Sequence, residues 1–460
     1  MLIIFANFAP ESTRMYMNIT IPGAKGLFLA LTLSVPSIAM AEGYQVNTLS
    51  ARQLGMAHTG YALKLGAESQ FFNPAGMAYM DKSVDFSASF NALYPECTAI
   101  VGGKKYHTDN NVSTPLSFFA GFKIYDNLSA GISFYTPCGS GINWTDHWPG
   151  AILNQSVTLK GYTVQPTVSW RITPRLSVGA GLTINWGTVD LHKGLISGAQ
   201  LDGMLGALGI QGVSFGEITP ASAQLTGKAK VGFGYNLGVM YDFSDSFTAG
   251  INFRSKNMLK VEAGEVQVNY ATDNPTILGI LSSRLDGISK TEFKAEMPNP
   301  AVLGFGGAWH NDRLTLALDA QWTFWSAYKE LDINFVGASE FDQHLEKNYH
   351  NSWLLKAGAE WKATPRLDLR AGLAVDMSPC DKEYYNPETP GMTKIEPTVG
   401  LTFRPLPNVG INAAFMYIHG CGVDNASYTS TNVLTGQPDK FTADYRLHAV
   451  CGSVGVSVSF

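Results

Sequence analysis

The chain lacks the patterns that mark a helical membrane protein, a zinc protease or a nucleic-acid-binding protein. In its 460 residues, the body of the chain has no apolar run of the roughly 18–20 residues that a transmembrane helix needs. It has no H-E-x-x-H sequence, and His448 and Ser453 fall on opposite faces of the last predicted strand. Only 15% of the residues are charged, the net charge is −5, and no basic stripe is present. We therefore expect neither an enzyme nor a nucleic-acid partner.

Cysteine is scarce, and its spacing fits no metal site. There is no C-x-x-C pair among the five cysteines, which are Cys97, Cys138, Cys380, Cys421 and Cys451. In an oxidising compartment some of them can pair, with Cys97–Cys138 or Cys380–Cys421 as the candidates and at least one thiol left over. One set of loop residues has metal-ligand chemistry, namely Asp342, His344, Glu346 and His350. Solvated loop charge is the preferred interpretation of that set, so no metal and no cofactor are expected.

The long apolar run of the chain lies near its start and predicts export. Lys25 is followed by a short apolar segment, and an A-x-A sequence ends at Ala41. A basic residue, a short apolar core and small residues at a cleavage site define a secretory signal peptide. We therefore predict a signal peptide over residues 1–41, with Met15 or Met17 as an alternative start.

The C-terminal residues alternate strictly in polarity. Phe460, Val458 and Val456 share one face, and Ser459 and Ser457 lie on the other. Side chains of a β-strand repeat with period two, so this segment predicts a strand with one apolar face. Similar segments recur along the chain and are joined in pairs by short turns at 125–127, 173–175, 244–246, 311–312, 364–366 and 406–408.

Counting these hairpins predicts an all-β fold, a transmembrane β-barrel of about fourteen antiparallel strands over residues 83–460. Short turns at one end and long connections at the other are typical of such barrels. Two soluble β-sandwiches are the alternative, but the chain offers no linker between domains. Residues 42–82 precede the first strand and are rich in glycine and apolar residues. Fourteen strands enclose more space than wall side chains fill, so we expect this segment to be a plug in the lumen.

The plug segment resembles a known family. Residues 43–47 (GYQVN), 54–60 (LGMAHTG) and the motif Asn73, Pro74, Ala75 and Gly76 resemble the N-terminal hatch of the FadL-type outer-membrane transporters of long-chain fatty acids and other hydrophobic compounds. The resemblance implies a monomer in the outer membrane of a Gram-negative bacterium, with passive uptake of a hydrophobic ligand. It also implies that the hatch shifts and that the ligand leaves sideways near the third strand. Asn-Pro alone is only a turn signal, and that alternative stays open.

Candidate site residues follow from this comparison. Those proposed to contact the ligand are Phe71, Phe72, Leu195, Leu201, Met204, Leu205 and Leu208. The last five have helical spacing in the predicted loop 191–225, where an exposed apolar face favours ligand capture; the alternative is a helix packed on the barrel rim. Candidates for a lateral opening are Gly131, Pro137 and Gly139, although the last two also fit the start of a loop.

Two other functions remain open at this point. A porin would use interior charge as an ion-selective lining, from residues such as Arg171, Arg254, Arg370, Asp242, Asp319 and Asp376, and we expect Lys228 and Lys230 to face inward as well. A structural or adhesin barrel would leave the plug unexplained. Expected partners are the hydrophobic ligand, outer-membrane lipid and the barrel assembly machinery, which would read the last strand ending at Phe460.

Overall fold

The computed structural model describes residues 43–210, 212–289, 291–431 and 438–460. The predicted signal peptide, 1–41, lies outside the described residues. The strands are β1 (Val84–Val101), β2 (Lys104–His107), β3 (Leu116–Tyr125), β4 (Leu128–Tyr135), β5 (Gly139–Asn143), β6 (Ser156–Arg171), β7 (Leu176–Ile196), β8 (Ala221–Ser244), β9 (Phe247–Arg254), β10 (Asn257–Tyr270), β11 (Glu292–Asn299), β12 (Val302–His310), β13 (Leu314–Thr323), β14 (Glu330–Phe335), β15 (Gln343–Glu346), β16 (Ser352–Thr364), β17 (Leu367–Asp376), β18 (Lys394–Leu406), β19 (Val409–Gly420), β20 (Val423–Thr431) and β21 (Pro438–Ser459).

The helices are few and short. The α-helices are α1 (Ala51–Leu54), α2 (Ser69–Phe72), α3 (Gly198–Ala207) and α4 (Pro275–Leu285). Short 3₁₀ helices cover Gly66–Glu68, Pro74–Tyr79, Trp325–Ala327, Ser339–Phe341 and Lys382–Tyr384. In the part of the chain that the structure describes, none of these helices is long and apolar enough to cross a membrane.

The wall is a closed antiparallel barrel. Across the described ranges, fourteen strands pair in the circular order β1, β3, β4, β6, β7, β8, β9, β12, β13, β16, β17, β18, β19, β21 and back to β1. The predicted barrel is therefore confirmed, and its six tight turns lie where the sequence placed them. The long connections are shorter than predicted, because the strands continue into them. In the predicted loop 191–225, β7 runs on to Ile196 and β8 starts at Ala221.

Alternation along the strands separates an apolar outer surface from a polar lumen. On β8, Phe233 and Val239 are 65% and 44% exposed, whereas Asn236 between them is fully buried. Outward apolar side chains are stable in contact with lipid, and inward polar side chains find partners in the lumen. A register shift of one residue would exchange the two faces, so the pattern sets the pairing.

A bulge between β7 and β8 reverses this pattern in the upper part of the wall, which lies between the bulge and the long connections. Three residues, 185–187, lie opposite four residues, 229–232. The extra residue in β8 reverses which side chains face outward in the part of this strand between the bulge and the long connection, residues 221–230. Lys228 and Lys230 are therefore exposed on the outside, where Lys230 forms an ion pair with Glu262. The prediction that these two lysines face inward is wrong, because uninterrupted alternation does not anticipate the inserted residue.

The N-terminal segment fills the lumen. Asn91 of β1 donates to the backbone oxygen of Thr48 at 2.7 Å, and Asp319 of β13 accepts from the backbone nitrogen of Gly60 at 2.7 Å. Strands β1 and β13 lie on opposite sides of the circular order, so a segment that contacts both must lie inside the barrel. This segment, residues 43–80, is called the hatch below.

Asn73 of the Asn-Pro-Ala-Gly motif anchors the hatch as well as forming a turn. Its Oδ1 accepts from the backbone nitrogen of Ala75 at 3.1 Å, which caps the 3₁₀ helix that follows. Its Nδ2 donates to the backbone oxygens of Tyr61 at 2.7 Å and Val239 at 3.1 Å, which ties the hatch to β8. On the neighbouring strand a Cβ on Gly250 would lie 1.8 Å from the oxygen of Tyr61, so the close approach of the hatch requires glycine there.

Candidate functional site

The wall is interrupted beside its third strand. Strands β3 and β4 stay paired as far as Ser117 and Tyr135. The next residues, 136–138, leave the ladder, and the chain resumes as β5, which pairs with β6. Pro137 lies in this break and has no N–H to donate. On the β6 side the oxygen of Cys138 still accepts from the nitrogen of Gly161 at 2.9 Å, whereas on the β3 edge the backbone of residues 137–139 has no hydrogen bond to a described wall strand.

The hatch fills that edge. The backbone nitrogen of Val46 donates to the oxygen of Pro137 at 2.9 Å, and the nitrogen of Gly139 donates to the oxygen of Tyr44 at 2.8 Å. Gln45 lies directly opposite Cys138 in this short antiparallel bridge. Residues 44–46 thus complete the sheet as an added strand held by backbone hydrogen bonds.

The three predicted opening residues do not lie together. Pro137 and Gly139 are at the break, as described. Gly131 is in the regular part of β4, where a Cβ would lie 2.6 Å from the oxygen of Ala120 and 2.8 Å from Nε2 of Gln70 in the hatch. A bulky residue at Gly131 would therefore press on the hatch as well as on the wall.

Tyr44 holds the start of the hatch in an aromatic socket. Its ring is fully buried and packs edge-on against Trp325 and Tyr328, with ring centroids 5.0 and 5.6 Å away. Its hydroxyl donates to the backbone oxygen of Pro298. Burial and the nearby Tyr328 hold the pKa of Tyr44 well above its usual range, so the hydroxyl remains a donor.

An apolar pocket lies on the extracellular side of Tyr44, where the wall continues beyond the bulge. The empty space within it, open solvent included, is about 570 Å³. Its lining is Leu159, Gly187, Thr188, Val189, Leu191, Leu225, Ala229, Leu259, Val261, Phe293, Ala295, Met297, Leu331 and Ile333. Leu159 and Leu259 also belong to the hydrophobic cluster that contains Tyr44. A ligand in this pocket would lie close to the residues that hold the hatch.

A second, polar cavity adjoins the break in the wall. Its empty volume is about 460 Å³, and its lining includes Gln45, Asn47 and Pro137. Arg254 is the single charged side chain among the described residues that line it. The guanidinium lies 4.1 Å from the ring centroid of Phe71, one of the two hatch phenylalanines predicted to contact ligand. We call this cavity the polar chamber.

The apolar residues of the predicted capture loop are mostly buried. Leu195, Leu201 and Leu205 are at most 1% exposed and share a hydrophobic cluster with residues of α4. Met204 is half-buried against this cluster, whereas Leu208 is 62% exposed. The loop therefore adopts the rim-packed arrangement kept as the alternative, and its role in capture stays a prediction. Phe72 is also buried and packs edge-on against Phe71.

The cysteine pairings suggested by the sequence are wrong, since all five thiols are free. Cys97 and Cys138 belong to different hydrophobic clusters. Cys380 is half-buried, whereas Cys421 is exposed.

Other reactive side chains have structural partners. His344 contacts Asp332 at 2.6 Å, and Asp342 accepts from the backbone nitrogen of Phe335 at 2.6 Å. The described residues contain no group of His, Cys, Asp and Glu that could hold a metal. The predicted capture loop, 191–225, contains one G-x-S-x-G sequence, at 212–216. The hydroxyl of its Ser214 donates to Asp202 at 2.7 Å instead of facing a histidine.

Sequence reasoning placed Tyr44 in the hatch without a role, and it missed nearly all of the apolar pocket lining, since only Leu191 and Leu225 of that lining fall in the predicted loop 191–225. A signal for the pocket was present, because charged residues alternate with apolar ones in the upper strands. On β10, Lys260 and Glu262 face outward, and Leu259 and Val261 face the pocket. This is the reverse of the polarity expected for a barrel wall within a membrane, and it identifies wall that lies above the membrane.

A closed barrel with an apolar belt, a lumen filled by its own N-terminal segment and an apolar pocket above that segment defines a class: an outer-membrane channel for hydrophobic compounds. The chain belongs to the family described as outer membrane protein transport protein (OMPP1/FadL/TodX), which matches residues 32–460. It is therefore a protein of the Gram-negative outer membrane and not an enzyme.

Relatives and solved structures agree with this assignment. Outer membrane protein P1 of Haemophilus influenzae is 23% identical over 414 residues, covering 83% of this chain and 87% of the relative. The long-chain fatty acid transport protein of Escherichia coli K12 is 22% identical over 440 residues, covering 86% and 92%. A Pseudomonas aeruginosa FadL homologue shares the fold with a TM-score of 0.76 at 20% identity, covering 91% and 100%. The toluene transporter TodX of Pseudomonas putida gives a TM-score of 0.67 at 17% identity, covering 91% and 99%.

Proposed function

We propose that this barrel takes up long-chain fatty acids or similar hydrophobic molecules by passive diffusion. The ligand enters the apolar pocket, the first residues of the hatch withdraw, and the ligand leaves sideways through the break at 136–138. The observation that supports this most is the position of residues 44–46. Tyr44 belongs to the cluster that reaches the apolar pocket, Gln45 and Val46 line the polar chamber, and the three residues together fill the break in the wall.

The surroundings of the break favour a sideways exit for an apolar molecule. Next to it, Phe118 on β3 and Ile132 on β4 are 43% and 47% exposed on the outer face. An apolar ligand that leaves there passes beside apolar outer side chains into lipid, whereas an exit downward would expose it to water. No energy source is needed, because partition into lipid is downhill.

A porin is less well supported, because most charges proposed for its lining are paired. Arg370 contacts Glu360 at 2.6 Å, and Lys394 contacts Asp376 at 3.2 Å. Asp242 pairs with Lys64 of the hatch at 2.7 Å. The hatch also fills the lumen, so we expect single-channel recordings to be nearly silent. A steady large conductance would favour the porin.

The pocket is tested by filling it. Ala295 lines the pocket from β11, and the next residue, Glu296, faces outward and pairs with Lys260. We expect Ala295→Trp to weaken the binding of a fluorescent fatty acid by about tenfold or more, because an indole ring occupies space that the ligand needs. Glu296→Trp is the matched control and should bind as the wild type does. Wild-type binding by Ala295→Trp would refute the proposal that this pocket holds the ligand.

We also propose three features that accompany this function. The mature chain begins after Ala41 as a hatch over 42–82 and a barrel over 83–460, which intact mass of the exported protein tests for its first residue. The protein works as a monomer. The barrel assembly machinery recognises the last strand together with Phe460, which follows it and exchanges backbone hydrogen bonds with Val84 at 3.1 and 2.9 Å.

A further inference from the structure

A row of lysines lies on the outer face of the wall. Lys160 of β6 lies opposite Thr188 of β7, and Thr188 in turn lies opposite Lys228 of β8. Neighbouring strands are about 4.8 Å apart, so the Cα atoms of the two lysines are roughly 10 Å from each other. Leu159, which precedes Lys160, lines the apolar pocket, so Lys160 faces outward as Lys228 does. The two cations therefore share one level of the wall.

The level directly below this row is aromatic. Tyr162 lies opposite Trp186 with ring centroids 6.0 Å apart, and the ring of Phe134 lies 6.1 Å from that of Tyr162 on the other side. Tyrosine and tryptophan are enriched where a membrane meets water. Tyr162 is two residues from Lys160 toward the short turn 173–175, a step of about 7 Å in an extended strand. Short turns of such barrels face the periplasm, so the lysine row is at the height of the lipid head groups of the outer leaflet.

The two lysines of this row have no acidic partner. In the described ranges, no ion pair includes Lys160 or Lys228. Carboxylates occupy the next level away from the membrane, which contains Asp190, Glu265 and Glu292. The unpaired cations therefore lie nearer the lipid than these acids do.

Three more lysines extend the row along the wall. Lys230 pairs with Glu262, and Lys260 pairs with Glu296 at 2.7 Å. The pKa of Glu262 is lowered, chiefly by the hydrogen bond from Lys230, and the charges of Lys260 and Lys294 add to this effect. One carboxylate thus serves three lysines. We use the name lysine band for the whole set, which consists of Lys160, Lys228, Lys230, Lys260 and Lys294. Glu262 and Glu296 are the carboxylates that pair within it, so the band has an excess of positive charge.

We propose that the lysine band binds the phosphate groups of a phosphorylated lipid in the outer leaflet of the membrane. A phosphate monoester has a charge of about −1.5 to −2 at neutral pH, and lysine is a common phosphate ligand. The acyl chains of the lipid lie against the apolar belt, which brings its phosphates to the height of Lys160 and Lys228. A soluble anion that approaches from the medium meets the acidic level first, so the order of charges favours a lipid. This binding site goes beyond the proposed uptake and does not rest on it.

A lipid bound here has a consequence for the break in the wall. Lys160 lies opposite Gly139, the residue that follows the break at 136–138. The break therefore begins at the level of the lysine band and runs toward the apolar belt. A lipid held at this level by its phosphates fixes the depth of the barrel and keeps the break beside acyl chains.

The test compares two lipids that differ by one phosphate. Diphosphoryl lipid A and its monophosphoryl form have the same acyl chains. Binding of each to the full-length protein in mild detergent is measured by native mass spectrometry in competition. Each lysine near an anionic lipid surface strengthens binding by about fivefold, so we expect the wild type to prefer the diphosphoryl form by about fivefold or more. Lys160→Gln combined with Lys228→Gln should weaken binding of the diphosphoryl form by about tenfold or more and abolish the preference.

Lys104→Gln combined with Lys105→Gln is the matched control. It removes the same charge from two exposed lysines of β2, a strand that pairs with β1 and not with the strands of the band, so lipid binding should be unchanged. The mobility of each variant on an unheated gel shows whether its barrel is folded. If the double variant of the band does not fold, Lys228→Gln alone changes one exposed side chain and should lose part of the preference.

Three results would overturn the assignment of a phosphate site to the lysine band. They are equal binding of both lipids by the wild type, an undiminished preference in the folded variants of the band, and an equal loss in the control variant. None of the three would affect the proposed uptake of hydrophobic molecules, because the band lies outside the lumen.

Discussion

Locking the hatch to the wall tests the sideways exit directly. Gln45 lies opposite Cys138, and the two flanking hydrogen bonds make them a non-hydrogen-bonded antiparallel pair. Cα atoms in such pairs are about 4.5 Å apart, which lies within the range that disulfides span. Gln45→Cys would therefore form a disulfide with the natural thiol of Cys138. We expect oxidation to close the break covalently.

The size of the effect follows from what must separate when the exit opens. Withdrawal of residues 44–46 breaks two backbone hydrogen bonds and the bond from the Tyr44 hydroxyl to Pro298, and it exposes the buried ring of Tyr44. At about 1 kcal/mol per hydrogen bond and about 2–3 kcal/mol for the ring, opening costs roughly 5–6 kcal/mol. The wall is then open in about one of 10⁴ sampled states, since 1.4 kcal/mol is a factor of ten. A disulfide removes this open fraction.

Uptake of a radiolabelled fatty acid by cells is the assay. We expect the uptake rate of oxidised Gln45→Cys to fall by at least about tenfold, because the disulfide removes the open state, and to recover on reduction. The comparison is between the same chain with and without one bond. The control is Gln45→Cys combined with Cys138→Ser, which cannot form the bond and should respond to neither treatment. Full disulfide formation with unchanged uptake would refute the sideways exit, although hydrophobic uptake itself would stand.

Two further predictions concern the extracellular loops. Lys347 and Glu388 form a buried ion pair at 2.7 Å, so Glu388→Gln should lower the free energy of unfolding in urea by about 3–5 kcal/mol. Glu383 is in an exposed pair, so Glu383→Gln should lower it by under about 1 kcal/mol. Equal losses in the two variants would contradict this prediction. The hydrogen bond to Asp332 raises the pKa of His344, so this contact stabilises the folded loop below the ordinary histidine pKa, and its contribution is lost as pH rises through the raised value. Asp332→Asn should lower the pKa in an NMR titration, and an unchanged titration would contradict the assignment.

The barrel was predictable because its determinants are local. A wall residue faces either lipid or lumen, so Phe233 and Asn236 reveal their sides through polarity alone. Turns such as 173–175 and 406–408 carry residues whose backbone preferences end a strand. Alternating polarity and turn residues together were enough to predict fourteen strands. The Asn-Pro-Ala-Gly motif indicated the hatch and the family.

The functional site was harder to predict, because it depends on contacts between residues distant in the chain. Whether Lys230 faces in or out depends on a bulge in the pairing of β8 with β7, and the periodicity of β8 alone does not predict that bulge. Leu201 and Leu205 have the spacing of an amphipathic helix, and packing in the folded loops is what buries them.

The amino-acid order thus establishes a plugged barrel with an apolar belt, since alternation and turn residues act over a few positions. The apolar pocket, the hatch strand at Pro137 and the contact of Arg254 with Phe71 arise when the closed wall brings the hatch against distant strands. Tyr44 shows the reason most clearly. It meets the backbone oxygen of Pro298, 254 residues away, and a contact of that separation leaves no local pattern in the sequence.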